Sequence, residues 1–251
     1  MPPAEQNRAA FAAAAPAPGA AASAAAHGPL PGLLLVLTMV TGMVDAVSYL
    51  SLGHVFVANM TGNIAFLGFA VADARDFSIA ASLTATAAFL AGALAGGRLG
   101  TSVGRHRGRF LAIAIVVEIV ALSAAFVAVR LAADPQAELL RYELIVLLAL
   151  AMGVQNATAR RIGVPDLTTT VLTLTLTGLA ADSPAAGGSN PRPGRRLLAT
   201  LTMFVGAAIG SFVILRVGLG AALGLTLAVL LASGVWAYRL CGATEDWTQG
   251  A

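Results

Sequence analysis

Between residues 31 and 238 the chain is a succession of apolar runs, separated by short connectors in which the arginines gather. Most runs approach 20 residues, the length an α-helix needs to cross a hydrocarbon core of about 30 Å. Lipid offers backbone N–H and C=O groups no partners, so a run of this kind must close its hydrogen bonds within itself. An all-α polytopic membrane protein is therefore expected. The chain is 58% hydrophobic and 11% charged, whereas soluble domains carry about a quarter charged residues. All fifteen basic residues are arginines, and their placement between apolar runs fits a membrane protein and excludes a nucleic-acid partner. Cys241 is the single cysteine, so neither a disulfide framework nor a thiolate metal site is expected.

Residues 1–28 are rich in Ala and Pro with Arg8 as the only basic residue. They lack the apolar core of a secretory signal and read as a disordered tail. A first membrane half is expected over 29–132, a polar connector with Asp134, Pro135 and Glu138 over 133–141, a second half over 142–239, and a tail over 240–251. The clear spans are 31–51, 77–97, 110–131, 142–159, 197–215 and 217–238. Two further stretches, 53–72 and 164–182, carry too many polar residues in their middles for an ordinary crossing. They read as broken or re-entrant.

Arginine counting separates the topologies. If both polar stretches cross, eight arginines lie inside and seven outside, which is no bias. If neither crosses, six spans remain with both termini inside, and eleven arginines face four. Seven spans, with 53–72 crossing, gives ten against five and stays open. Six spans put three in each half, so two similar halves must run in opposite directions and form an inverted repeat. Transporters built this way place their site near the midplane, where discontinuous segments meet.

The repeated text is GMVDAVSYLSLGHVFVANMTGN over 42–63 and, more faintly, GVQNATARRIGVPDLTTTVLTLTLTG over 153–178. Asp45 lies inside an apolar run, where a carboxylate costs about 2.5–3.5 kcal/mol on insertion scales and is a functional candidate by default. The plainer reading gives Asp45 interfacial water or a structural arginine partner. Gln155 or Asn156 takes its place in the second half. Asn59, Thr61, Gly62 and Asn63 supply neutral donors and acceptors around a glycine that lets the chain turn; Asn59 or Thr61 could equally cap a helix, whose N-terminus attracts anions. Six threonines fall between 167 and 178. The alternation from Val171 to Thr177, which includes Thr173, has strand periodicity, while a helix whose threonines bond back to carbonyls four residues earlier fits equally well. Thr170, Thr173, Thr177 and Gly178 are the solute-contact candidates there. Glu118 is a second intramembrane acid, a proton or cation site or the partner of an arginine. Arg160 and Arg161 are explained by topology, with substrate binding as the lesser alternative. Gly92 with Gly96 and Gly206 with Gly210 are small-xxx-small packing pairs.

His27, His54 and His106 show no metal-ligand spacing, and no P-loop or nucleophile elbow is present. No enzyme activity and no cofactor are expected. The two repeated stretches resemble those of the bacterial YoaK-like family, a domain of unknown function in multi-span membrane proteins, over roughly 33–238. Asp45, Asn59, Thr61, Gly62, Asn63, Gln155, Asn156 and Gly178 fall on its motif positions. The resemblance implies a permease-like inner-membrane protein and supplies neither substrate nor mechanism. The expectation from the residues is a secondary transporter for a small polar or anionic solute, with Asp45 coupling protonation to access. A passive channel, or less readily an intramembrane enzyme using His54, Ser48 and Asp45, are the alternatives. The partners expected are the lipid bilayer and a small solute, with self-association left open.

Overall fold

A computed structural model describes residues 27–74, 76–134, 137–167, 169, 172–189 and 192–249. Most of the tail, along with Arg75, Pro135, Thr168, Thr170 and Val171, lies outside the described residues. Among the described residues eight α-helices follow in order: α1 Leu30–Ser51, α2 Met60–Val71, α3 Ile79–Val103, α4 Arg107–Leu131, α5 Glu138–Ile162, α6 Leu172–Ala181, α7 Pro193–Arg216 and α8 Leu219–Arg239. Five of them, α1, α3, α4, α7 and α8, are long and apolar enough to cross a membrane. α5 is as long as α3 at 25 residues, but Glu138, Arg141, Glu143, Arg160 and Arg161 at its ends lower its hydropathy.

α2 and α6 have 12 and 10 residues, which at 1.5 Å per residue is about half the hydrocarbon thickness. The irregular segment before α2 holds His54 at φ 54°, a left-handed conformation uncommon for a side chain with a Cβ. Both polar stretches are thus broken, as expected. The Thr–Leu alternation of 172–177 is wound into α6, and the described residues include no strand beyond an isolated bridge between His106 and Gln249. A helix wins here because it satisfies its own backbone, while an extended segment would need a partner strand.

α1 is the most enclosed helix, and α1, α4, α5 and α8 surround the core, with α3 laid along α5 and α7 along α1. The exposed sides of the outer helices are apolar: Leu90 is 61% exposed, Phe204 69% and Phe212 63%. In water such a surface would be an interaction patch or a liability; against lipid it is neutral.

The contacts pair off between the two halves. α3 packs on α5 as α7 packs on α1, α4 on α5 as α8 on α1, and α2 on α3 as α6 on α7. The pairing extends to single residues. A Cβ on Gly206 would fall under 3.0 Å from the Met39 backbone, and one on Gly92 would meet the Leu150 backbone in the same way. Gly210 faces Met43 and Ala46, while Gly96 faces Val154 and Ala157. Met39 therefore answers to Leu150, Met43 to Val154 and Ala46 to Ala157, 111 positions apart each time. The residue answering to Asp45 is then Asn156, and Gln155 answers to Val44.

Chain direction follows from the end contacts. Arg107 at the start of α4 reaches His27, just before α1, at 3.2 Å, and donates to the Ile162 carbonyl at the end of α5. The start of α1 and the end of α5 thus share one face of the bundle. The end of α1 lies at the other.

Candidate functional site

A cavity of about 820 Å³ lies where the first turns of the two short helices approach each other. Asn59, Thr61 and Gly62 reach it from α2, and Leu172 and Thr173 from α6. Asn156 and Arg160 of α5, Phe89 and Ala93 of α3 and Met203 of α7 are also in the wall. Most of the lining is apolar or neutral polar, with Arg160 its one charged residue. Asn59 occupies the cap position of α2, but its side chain makes no capping hydrogen bond. First-turn residues of both helices line the cavity, and a helix start carries a partial positive charge.

Asp45 stands behind this wall. It is buried, and its Oδ1 accepts a hydrogen bond from the Ala58 N–H at 3.2 Å. Ala58 is itself a lining residue, so the carboxylate fixes the non-helical strip that carries Asn59 into place. Asn63 is also fully buried and outside the lining: its Oδ1 accepts from the Phe56 N–H at 2.8 Å and its Nδ2 donates to the Phe56 carbonyl. That clasp folds α2 back onto the segment preceding it, and Gly62 makes room, since a Cβ there would stand 2.6 Å from the Phe56 ring.

Of the two amides in the second half, Asn156 faces the cavity and donates to the Met152 carbonyl at 2.8 Å. Gln155 turns toward α1, its Nε2 donating to Thr41 Oγ1 at 2.7 Å. Thr173 lines the cavity, while Thr177 and Gly178 lie further along α6, outside the lining. Gly178 packs on the Arg196 guanidinium, which donates to its carbonyl. Thr170 is among the residues not described. Glu118 is remote from the cavity. It sits in the buried stripe Leu111, Ile115, Glu118, Leu122 and Ala125 of α4, and neither of its carboxyl oxygens has a hydrogen-bond partner among the described residues. An unbonded polar group costs about 1–3 kcal/mol, which an apolar replacement of similar shape recovers. Glu118→Met is accordingly expected to raise the melting temperature in detergent; a fall would mean that Glu118 has a partner on which the fold depends.

Phe89, Ala93 and Met203 were not legible as site residues, because they look like ordinary apolar packing. Arg160, whose charge topology already accounts for, lines the cavity, which favours the alternative of solute contact.

Beyond α6, Asp166 in the α5–α6 connector joins Arg192 Nε at 2.9 Å and Arg196 Nε at 3.0 Å, and Arg196 also pairs with Asp182 at 2.7 Å. Burial pushes the Asp166 carboxyl up, but the hydrogen bonds and charges of Arg192 and Arg196 outweigh it and hold the group below its ordinary value. The stability Asp166 contributes is therefore complete above the unfolded carboxylate value of about 3.9 and lost as pH falls through the lower folded value. Asp166→Asn is expected to lower the melting temperature at neutral pH and to flatten the acid limb of its pH dependence. An acid limb identical to the wild type would remove Asp166 from that role. Among the described residues no cluster of His, Cys, Asp or Glu could hold a metal ion.

Residues 33–236 match the model of a family described as protein of unknown function, DUF1275. Over 151 residues the chain is 36% identical to the UPF0700 transmembrane protein YoaK of Bacillus subtilis (strain 168), a match covering 60% of this chain and 65% of that protein. No solved structure matches significantly.

Proposed function

The chain belongs to the DUF1275 family and is an integral membrane protein, and from that premise we propose that it is a secondary transporter of a small polar or anionic solute. The observation that carries this reading is the cavity at the joint first turns of α2 and α6, walled by Asn59, Thr61, Asn156, Arg160 and Thr173. Two half-length helices converging on a half-open, largely apolar cavity that carries these polar groups fit the arrangement in which carriers bind a solute near the midplane. Helix N-termini and one arginine favour negative charge there, and the neutral amides and hydroxyls supply hydrogen bonds.

The two halves, in this reading, are an inverted repeat, supported by the paired helix contacts and by the matching glycine approaches. Ten described arginines belong to helix ends and connectors on the face shared by the start of α1 and the end of α5, against Arg130, Arg141 and Arg216 on the other. The positive-inside rule makes the arginine-rich face cytoplasmic, with both termini on that side of a bacterial inner membrane. Asp45 couples access to protonation through the strip it holds, and Asn156 is its uncharged counterpart. Only one half titrates at this position.

The test is uptake into proteoliposomes of a panel comprising short carboxylates, inorganic phosphate and sulfate, and neutral polyols, under an imposed pH gradient. Saturable accumulation of one class, lost in the double variant Asn156→Leu, Arg160→Gln, is the expected result. Flux that is linear in concentration and never exceeds equilibrium would make the protein a passive channel, and no flux above empty liposomes for any class would end the carrier reading.

A further inference from the structure

Each short helix points its first turn at the cavity, and each is fastened at its other end to the helix that follows it. The fastenings differ in chemistry. At the arginine-rich face, Arg196 in the first turn of α7 binds the Gly178 carbonyl near the end of α6, the Asp182 carboxylate just beyond it, and Asp166 in the connector before it. Arg192 doubles the hold on Asp166. One guanidinium thus ties the approach to α6, its far end and the start of α7 together.

At the other face the corresponding place is filled by rings. Phe66 of α2 stacks on Phe77, which precedes α3, with centroids 4.8 Å apart, and on Phe56 of the connector at 5.6 Å. Tyr49 at the end of α1 and Phe69 of α2 lie 6.1 and 6.2 Å from Phe66, and His54 bridges Tyr49 and Phe77. Among the described residues no Asp, Glu or Arg takes part in these ring contacts. Phe66, on the short helix itself, joins the approach to the entry of the next long helix, a link that Arg196 makes from the long helix on the opposite face.

We propose that these sets are the two gates of the cavity, an ionic latch on the arginine-rich face that releases α6 and an aromatic latch on the opposite face that releases α2. The inference rests on the carrier reading and adds to it an asymmetry: the two exits respond to different perturbations. The pairs with a water-facing member, Arg196 with Asp182 and Arg192 with Asp166, weaken as salt rises and the screening length falls from about 10 Å at 0.1 M to about 3 Å at 1 M, while the largely buried Arg196–Asp166 pair is screened much less. Stacked rings do not weaken, because salt leaves apolar contact intact or strengthens it. High salt therefore favours opening toward the arginine-rich face alone.

The experiment uses the full chain in sealed membrane vesicles of each orientation. Cys241→Ser serves as background, with Thr173→Cys or Thr61→Cys as a single reporter in the cavity and a membrane-impermeant maleimide as probe. Arg196→Gln is expected to speed labelling of the Thr173 reporter from the arginine-rich face by roughly tenfold, within the range of ordinary coupling between sites, with little change from the other. Asp182→Asn gives a smaller change of the same sign, and salt on the unmodified latch reproduces it. Phe66→Ala speeds labelling of the Thr61 reporter from the opposite face and is insensitive to salt. Should Arg196→Gln fail to purify as a monodisperse protein, Asp182→Asn and the salt titration decide the matter. Equal acceleration from both faces, or none, overturns the latches while the cavity stands. Reporters that are unlabelled from both faces in every background overturn the carrier reading together with the latches.

Discussion

Gly206→Ala and Gly92→Ala are each expected to prevent accumulation of folded protein, and to do so to the same degree. A Cβ at either position would lie under 3.0 Å from backbone atoms of the facing helix, at Met39 in one case and Leu150 in the other. A flexible side chain could yield; a helix backbone cannot without the whole α1–α7 or α3–α5 contact separating. Overpacking a core typically costs about 1–3 kcal/mol, and a backbone clash belongs at or above the top of that range. Gly97→Ala is the control, since a Cβ there meets nothing within 4 Å. Expression with a fluorescent tag and size-exclusion chromatography in detergent reads the outcome. If Gly206→Ala is monodisperse and as stable as Gly97→Ala, the close packing of α1 on α7 is not as described.

Asp45→Ala is the second large effect. It removes the acceptor that holds the Ala58 N–H in a buried, non-helical strip, and leaving such a donor unpaired costs about 1–3 kcal/mol per group. The cavity wall next to Asn59 loses its fixed position, so thermal stability falls and, in the carrier reading proposed above, uptake falls with it. Asp45→Asn keeps an oxygen at the same place and is expected to retain most of the stability. That difference separates two roles for the side chain. Loss of pH-dependent uptake in Asp45→Asn with stability retained assigns Asp45 to coupling; unchanged uptake and pH dependence leave it a positioning residue only.

The long spans were legible because their signal is length and apolarity, which lipid imposes directly. The two polar stretches were legible for the converse reason: Asn59, Thr61, Gly62 and Asn63, like the threonines of 168–177, do not belong in a lipid-facing helix. Local text could not distinguish residues that line the cavity from those that build its wall. Asn63 and Asn59 are the same amide four positions apart, yet one clasps Phe56 and the other faces the cavity. Gln155 and Asn156 are adjacent and equally polar, and only the packing of Gly96 on Ala157, matched by Gly210 on Ala46, sets the register. The alternation of 172–177 carries a strand period because leucine and threonine alternate, while the choice of helix is made by the absence of a pairing strand. Arg196 and the aromatic set around Phe66 were missed for a shared reason. An arginine at a span end is accounted for by topology, and rings spread over residues 49–77 form no motif until the chain folds back on itself.

In the proposed carrier, α2 and α6 enter from opposite faces and each returns to the face it came from. Single cysteines in a Cys241→Ser background at Ala74, just after α2, and at Ala186, just after α6, test this when an impermeant maleimide is applied to each side in turn. The prediction is labelling of Ala186→Cys from the arginine-rich side, and of Ala74→Cys from the other side together with Ala137→Cys and Gly218→Cys. Labelling of Ala74→Cys and Ala186→Cys from the same side would contradict the opposed arrangement, and with it the meeting of the two helices at one cavity.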